Sequence, residues 1–186
     1  MHRRFGLVGF VVLLPSLSAA AIEWRVDPAR STLSVVFDQG GKPVTAKFEG
    51  FQAKVSFDPA SPATSSAEIT VDLASFRSGD AQRDQMATAG EFLSAASAAT
   101  ATYRVTTFKA LGGDRYEVAG ELTLKGFAGR LTHPATITVS GEKAHAQGEV
   151  VLNRVDFGVG AAQFPRGDQV GLTVTVRFDL AATRAG

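Results

Sequence analysis

Few residues of this chain could do chemistry. Past the N-terminal stretch there are two histidines, His133 and His145, and no cysteine. A metal site needs several converging imidazole, thiolate or carboxylate ligands. In "RLTHPATITV" His133 shares its alternation with Leu131, Ala135 and Ile137, whereas His145 goes with Gln147 and Glu149 on the polar parity. Two histidines on opposite faces make a poor metal pair, so neither metal nor cofactor is expected. There is no Gly-x-Ser-x-Gly elbow, and neither histidine has a Ser and Asp pattern around it. No catalytic residue is expected. The best polar pair is Arg83-Asp84 in "AQRDQM", read either as an ion pair pinning a helical insert or as a contact for a polar headgroup. His133 has two readings as well: a hydrogen-bonded residue near a barrel rim, or a headgroup contact. Asn153, Arg154 and Asp156 in "NRVDFG" read as a polar turn ending a strand, with Phe157 packing back and Gly158 supplying a bend.

The elements that would position these residues are strands. In "GELTLKGFAGRLTHPATITV" and just before it, Tyr116, Val118, Leu122 and Leu124 take one parity and Glu117, Glu121, Thr123 and Lys125 the other. A period of two means one wet and one dry face. The same alternation runs through Ile22-Trp24-Val26 up to Pro28, through Leu33-Val35-Phe37, Ala67-Ile69-Val71-Leu73, and 100–108, 130–140, 143–152 and 170–180. In "KPVTAKFEGFQAKVSFDP" the parity switches at Glu49-Gly50, where a glycine bulge or bend re-aims the face. "DQGGKP", "LGGD" and "SGEK" are turn signals. Residues 78–100 lack the alternation and are rich in alanine, with Asp80 or Ser78 able to cap a short helix. About eight main strands joined by hairpins make an antiparallel sheet, and the long strands with a glycine corner favour a closed up-and-down barrel over a sandwich.

The inward positions mix large residues (Trp24, Phe37, Phe48, Phe51, Phe57, Tyr103, Tyr116, Leu122, Leu124, Phe178) with small ones (Ala46, Ala53, Ala101, Gly120, Ala135, Ala144, Ala146, Gly148). Small residues either fit the taper of a solid barrel or leave room for an apolar ligand, and the pattern does not choose. Burying about ten methylenes at ~0.8 kcal/mol each would hold such a ligand with roughly micromolar affinity.

"MHRRFGLVGFVVLLPSLSAAA" has a basic start, an apolar run and a close on small residues, so residues 1–21 read as a secretory signal peptide and 22–186 as one domain. The formal net charge is +1, and without Arg3 and Arg4 there are 17 basic against 18 acidic residues. A chain near neutrality has no electrostatic reason to bind nucleic acid.

"VDPARSTLSVVF", "FEGFQAKVSFDP", "SAEITVDLASFRSGDAQRD", "GEFL", "YEVAGELTLKG" and "LNRVDFGVG" stand in the order seen in YceI-like, polyisoprenoid-binding proteins, and the whole of 22–186 resembles that family. The resemblance implies a lipocalin-like antiparallel barrel holding an isoprenoid or other long amphiphile in the bacterial periplasm. More weakly, it implies a link to membrane b-type cytochromes or stress responses. The chain departs from the family in several places. "FDQGGKPVT" lacks a histidine often found there, and the usual "DFFDVAKYPTITF" is "EFLSAASAATATY", with Ser94, Ala98, Ala99 and Ala101 at altered positions. The lost bulk either widens a pocket mouth or loosens the loop. Gly129 and Arg130 replace a basic residue followed by Pro, and His133 stands where the family tends to be apolar.

The expectation is therefore an all-β, lipocalin-like barrel of about eight strands with a short helical insert near 80–95. Its expected function is to bind or carry a long-chain isoprenoid or other lipid in the periplasm, as a monomer or homodimer. The ligand would lie against Phe37, Phe48, Phe51, Tyr103, Val105, Leu122, Leu124 and Phe178, with Phe92 and Leu93 over one opening and Arg83, Asp84 and His133 near a headgroup. The alternatives are a solid-core module partnering a membrane b-type cytochrome, and a lipid-modifying enzyme built on His133.

Overall fold

The structure, a computed structural model, describes residues 22–186; the leader read at 1–21 lies outside the described residues. Its elements are β1 (Glu23–Val26), β2 (Thr32–Gln39), β3 (Lys42–Phe48), β4 (Phe51–Ser56), β5 (Ser66–Asp72), β6 (Phe76–Arg77), α1 (Ala81–Thr88), β7 (Thr100–Gly112), β8 (Arg115–Leu124), β9 (Phe127–Ser140), β10 (Lys143–Asn153) and β11 (Val170–Arg184). The sheet closes as a ring, β1-β4-β5-β7-β8-β9-β10-β11, and β11 returns to β1 through Trp24↔Arg184 and Val26↔Ala182. All pairings are antiparallel, and closure removes the exposed edges that a sheet this long would otherwise carry.

Three long strands are each broken once, which is why eleven segments make an eight-membered ring. The first break is the 3-10 turn Pro28–Arg30, capped by Asp27, whose Oδ1 accepts from the Ala29 amide at 3.0 Å. The second is Glu49-Gly50, where the expected parity switch occurs. A Cβ on Gly50 would come within 3.1 Å of the Asp72 Cβ and 3.2 Å of the Ser75 Cβ, so glycine permits a close strand approach. The third is the 3-10 turn Leu73–Ser75, capped by Asp72. Past the breaks the sheet continues on β11 as β2, β3 and β6, and β6 pairs with β3 rather than β7. Residues 78–99, containing α1, sit between β6 and β7. Asp80 is the cap of α1, accepting from the Arg83 amide at 2.9 Å.

Two further irregularities shape the wall. In β7 the register shifts between Val105 and Thr107, so Val105 and Phe108 are both buried with Thr106 and Thr107 exposed between them. The pairing of β9 with β10 ends at Ala135↔Gly148. Beyond it the turn Arg154–Phe157 brings the Phe157 ring against β9, where a Cβ on Gly129 would lie 2.8 Å from its Cζ. Gly129 is thus the room that Phe157 fills. Gly158 ends this turn in the left-handed region at φ 66°, the bend expected of it.

The interior is packed unevenly. Toward the β7–β8 and β9–β10 hairpins, Trp24, Phe57, Val105, Phe108, Tyr116, Val118, Ala135 and Ile137 form a buried plug. The Trp24 indole N–H donates to the Phe57 carbonyl at 2.8 Å, and the Phe57 ring meets those of Phe108 and Tyr116 at 5.2 and 5.4 Å. The other end has two smaller clusters, around Leu73, Ala101, Leu124 and Phe157, and around Val35, Ala46 and Phe76.

Candidate functional site

Beneath the insert, with Trp24, Phe57 and Phe108 of the plug as its floor, lies a cavity of about 340 Å³, within the range of pockets that hold small molecules. Phe37, Phe48, Phe51, Tyr103, Val105, Leu122, Leu124 and Phe178 line it from the strands, Phe92 and Leu93 from the insert, and Arg83 and His133 line it too. Asp84 does not. Its carboxylate accepts from the Ser78 amide at 2.7 Å and the Ser78 hydroxyl at 2.6 Å, bonds that hold its pKa below the usual carboxylate range. Nor is Arg83–Asp84 the ion pair read from the sequence. Arg83 Nε donates to Gln39 Oε1 at 2.8 Å, and its guanidinium approaches Asp80 at 4.0 Å. Neighbours on a helix point roughly 100° apart, so one turns to β2 and the other back to Ser78.

Six of the small inward residues divide into two roles, while Ala46 packs in the cluster with Val35 and Phe76. Ala101, Ala135, Ala144 and Ala146 are in the cavity wall. Gly120 and Gly148 instead make slots for rings: a Cβ on Gly120 would lie 2.8 Å from Tyr103 Cζ, and one on Gly148 2.7 Å from Phe178 Cζ. These two rings flank His133, with centroids at 5.8 and 5.6 Å.

His133 is 6% exposed and is not near a rim. On β9 it lies between Leu131, which packs with the mouth-side cluster, and Ala135 of the plug. The rim reading is corrected because β9 extends six residues past His133 toward its first residue, Phe127. Nδ1 is 3.1 Å from the Pro134 carbonyl and Nε2 is 3.2 Å from Tyr103 Oη. A carbonyl can only accept, so Nδ1 carries the proton and Nε2 accepts from the tyrosine hydroxyl. Burial lowers the His133 pKa and pushes the Tyr103 phenol up to about 12, so both stay neutral at ordinary pH. His145 is on the outer surface, 2.8 Å from Asp179 Oδ1.

The opening is marked by Met86 of α1, which lines the cavity and is 47% exposed. Gln39, Arg83, Phe92, Val159 and Val170 complete this end. Arg83 and Phe92 belong to the insert and Val159 to the 154–169 segment, where no period of two runs, while Gln39 and Val170 stand at the ends of β2 and β11; of these, only Arg83 and Phe92 stood out in the sequence. The two overhanging segments, 78–99 and 154–169, are fastened together. Lys125, in the left-handed region at φ 52°, donates from Nζ to the carbonyls of Glu91 (3.0 Å), Gly90 (3.3 Å) and Gly158 (2.8 Å). The Gly160 amide donates to the Glu91 carbonyl at 2.9 Å, and the Phe92 and Phe164 rings lie 5.9 Å apart. Arg154 organises the second segment. Its buried guanidinium donates to the carbonyls of Gly171 (2.9 Å), Val159 (2.7 Å), Val170 (2.7 Å) and Phe164. Reading "NRVDFG" as a turn anticipated the position of Arg154 but not that it holds a sixteen-residue loop closed.

Residues 24–182 match the model of the YceI-like domain. A UPF0312 protein of Vibrio cholerae serotype O1 is 30% identical over 174 residues, spanning 91% of this chain and 80% of that one. The structure of BcnA from Burkholderia cenocepacia superposes with a TM-score of 0.81 at 34% identity, covering 85% of this chain and 99% of BcnA. A polyisoprenoid-binding domain from Saccharophagus degradans, implicated in plant cell wall breakdown, shares the fold (TM-score 0.72, 19% identity, 88% of this chain and 99% of that domain). With the family model matching nearly all of the described residues and the barrel, insert and cavity in place, this chain belongs to the YceI-like family.

Proposed function

We propose that the protein binds and carries a long-chain apolar ligand, an isoprenoid or another long amphiphile, inside its barrel and does no chemistry on it. The observation that carries this reading is the cavity: about 340 Å³, walled by carbon, in a barrel whose plug already supplies a packed core. A solid interaction module would have no use for that space. The polar side chains in the wall are engaged with protein partners, as a binding site needs and an acid–base site does not. The description of the Saccharophagus degradans domain as polyisoprenoid-binding supports the ligand class. The leader-like residues 1–21 support export to the periplasm.

The test is mass spectrometry of protein expressed with residues 1–21 intact and recovered from the periplasm, run native and then after solvent extraction. The expected result is one isoprenoid or acyl species per chain. Ala146→Phe, which pushes a ring into the cavity, should lower its occupancy about tenfold while the barrel still folds. Lipid-free protein that also fails to take up Nile red would overturn the proposal.

A further inference from the structure

A count of donors and acceptors at the Tyr103–His133 pair leaves one group unspent. The Nδ1 proton of His133 goes to the Pro134 carbonyl, and the Tyr103 proton goes to His133 Nε2. The Tyr103 oxygen then keeps acceptor capacity, and no donor among the described residues reaches it. Tyr103 is part of the cavity wall. The other polar groups deep in the wall are taken: the Trp24 N–H by the Phe57 carbonyl, the Arg154 guanidinium by four carbonyls. Among the described residues deep in this carbon-lined cavity there is thus one open hydrogen-bonding position, and it can accept but not donate.

From this geometry we infer that Tyr103 Oη is an anchor for the head of a neutral long-chain alcohol, which seats head first with its O–H donating to Tyr103. The inference rests on the carrier reading above and adds ligand class and orientation to it. A ligand with an acceptor-only head, such as an ether or ketone, is served poorly, because Tyr103 would have to turn its proton away from His133 and strand Nε2. A carboxylate or phosphate is served worse still: it would bring charge against acceptor lone pairs in a low-dielectric site, where Arg154 is already committed to carbonyls. His133 positions the Tyr103 hydroxyl and does not touch the ligand.

The test is Nile red displacement from solvent-stripped protein by cetyl alcohol, cetyl methyl ether and palmitate, which share one chain length. The alcohol should compete at a concentration about fivefold lower than the ether, the worth of one ordinary hydrogen bond, and palmitate should be weaker than both. Tyr103→Phe should make alcohol and ether equal while both still bind. His133→Leu frees the tyrosine proton and should bring the ether level with the alcohol or ahead of it. Equal competition by alcohol and ether in the unmodified protein, or a preference that survives Tyr103→Phe, overturns the anchor and leaves the carrier reading standing. Failure of Nile red and of every chain to bind overturns both. If Tyr103→Phe does not fold, judged by thermal melting, the alcohol-to-ether ratio of the unmodified protein and the His133→Leu result decide.

Discussion

His133 shows how a single side chain can be read correctly by type and wrongly by place. Its parity put it on the dry face, and the structure buries it between Tyr103 and Phe178. Burial lowers its pKa below the ordinary 6.5, with the Pro134 carbonyl opposing the shift. Above about pH 6.5 His133 is neutral both folded and unfolded and adds no pH dependence. As the pH falls through that value the unfolded chain takes up the proton first, so stability declines until the lowered folded-state pKa is passed, and then levels off. Urea unfolding at about pH 7.5 and about pH 5 should therefore show a loss that His133→Leu reduces. An unchanged difference between the two pH values in the variant would mean that the burial of His133 does not drive it. The hydrogen-bonding role of this histidine was among the sequence readings. Its depth was not, because depth depends on how far β9 runs beyond it.

At the scale of elements, the mouth depends on two segments that the barrel does not pair. Lys125 joins them from the β8–β9 turn, and its three carbonyl acceptors belong to both. Lys125→Met keeps the aliphatic stem and removes the donors. Hydrogen exchange of residues 88–95 and 156–164 should accelerate about tenfold, equivalent to losing one to two net hydrogen bonds, with the barrel strands unchanged. Bound Nile red should also leave faster. Uniform exchange across the whole chain would show instead that Lys125 supports the fold generally. Alternation alone placed Lys125 among solvent-facing residues, and its clasp was illegible because both partner segments are distant in sequence. The extra residue in β7 was illegible for a different reason. A bulge moves Phe108 to the inner face with no Gly or Pro to announce it, so the parity that placed Tyr103 and Val105 could not be carried across Thr106.

Across the whole molecule, the most tightly packed part of the barrel is also the floor of the cavity, since Trp24, Phe57 and Phe108 belong to both. Phe57 is 3% exposed in the plug, in contact with Phe108 and Tyr116. Phe57→Ala should cost roughly 3–5 kcal/mol in urea unfolding, the range for an aromatic lost from a packed core. Phe37 faces the cavity, with the Phe76 ring 6.5 Å away. Phe37→Ala should cost less than half as much, because its ring is only half-buried whereas that of Phe57 is fully buried against two others, and should mainly weaken ligand binding. Equal costs at the two positions would mean that the interior is packed evenly and the cavity is collapsed in solution.

The sequence by itself determined the strands, their inward faces, the glycine corner at Glu49-Gly50 and the insert after Asp80. These are local matters of period two, turn chemistry and capping, readable in any window of the chain. It also nominated the cavity-lining side chains, since parity survives in every strand without a bulge. Only the tertiary structure decided whether the dry face encloses itself or a space. That answer depends on which rings fall opposite which glycines: Gly120 and Gly148 are occupied by Tyr103 and Phe178, while Ala144 and Ala146 remain in the open wall. Such pairings are set by register across strands far apart in the chain, and a count of large and small residues is the same either way.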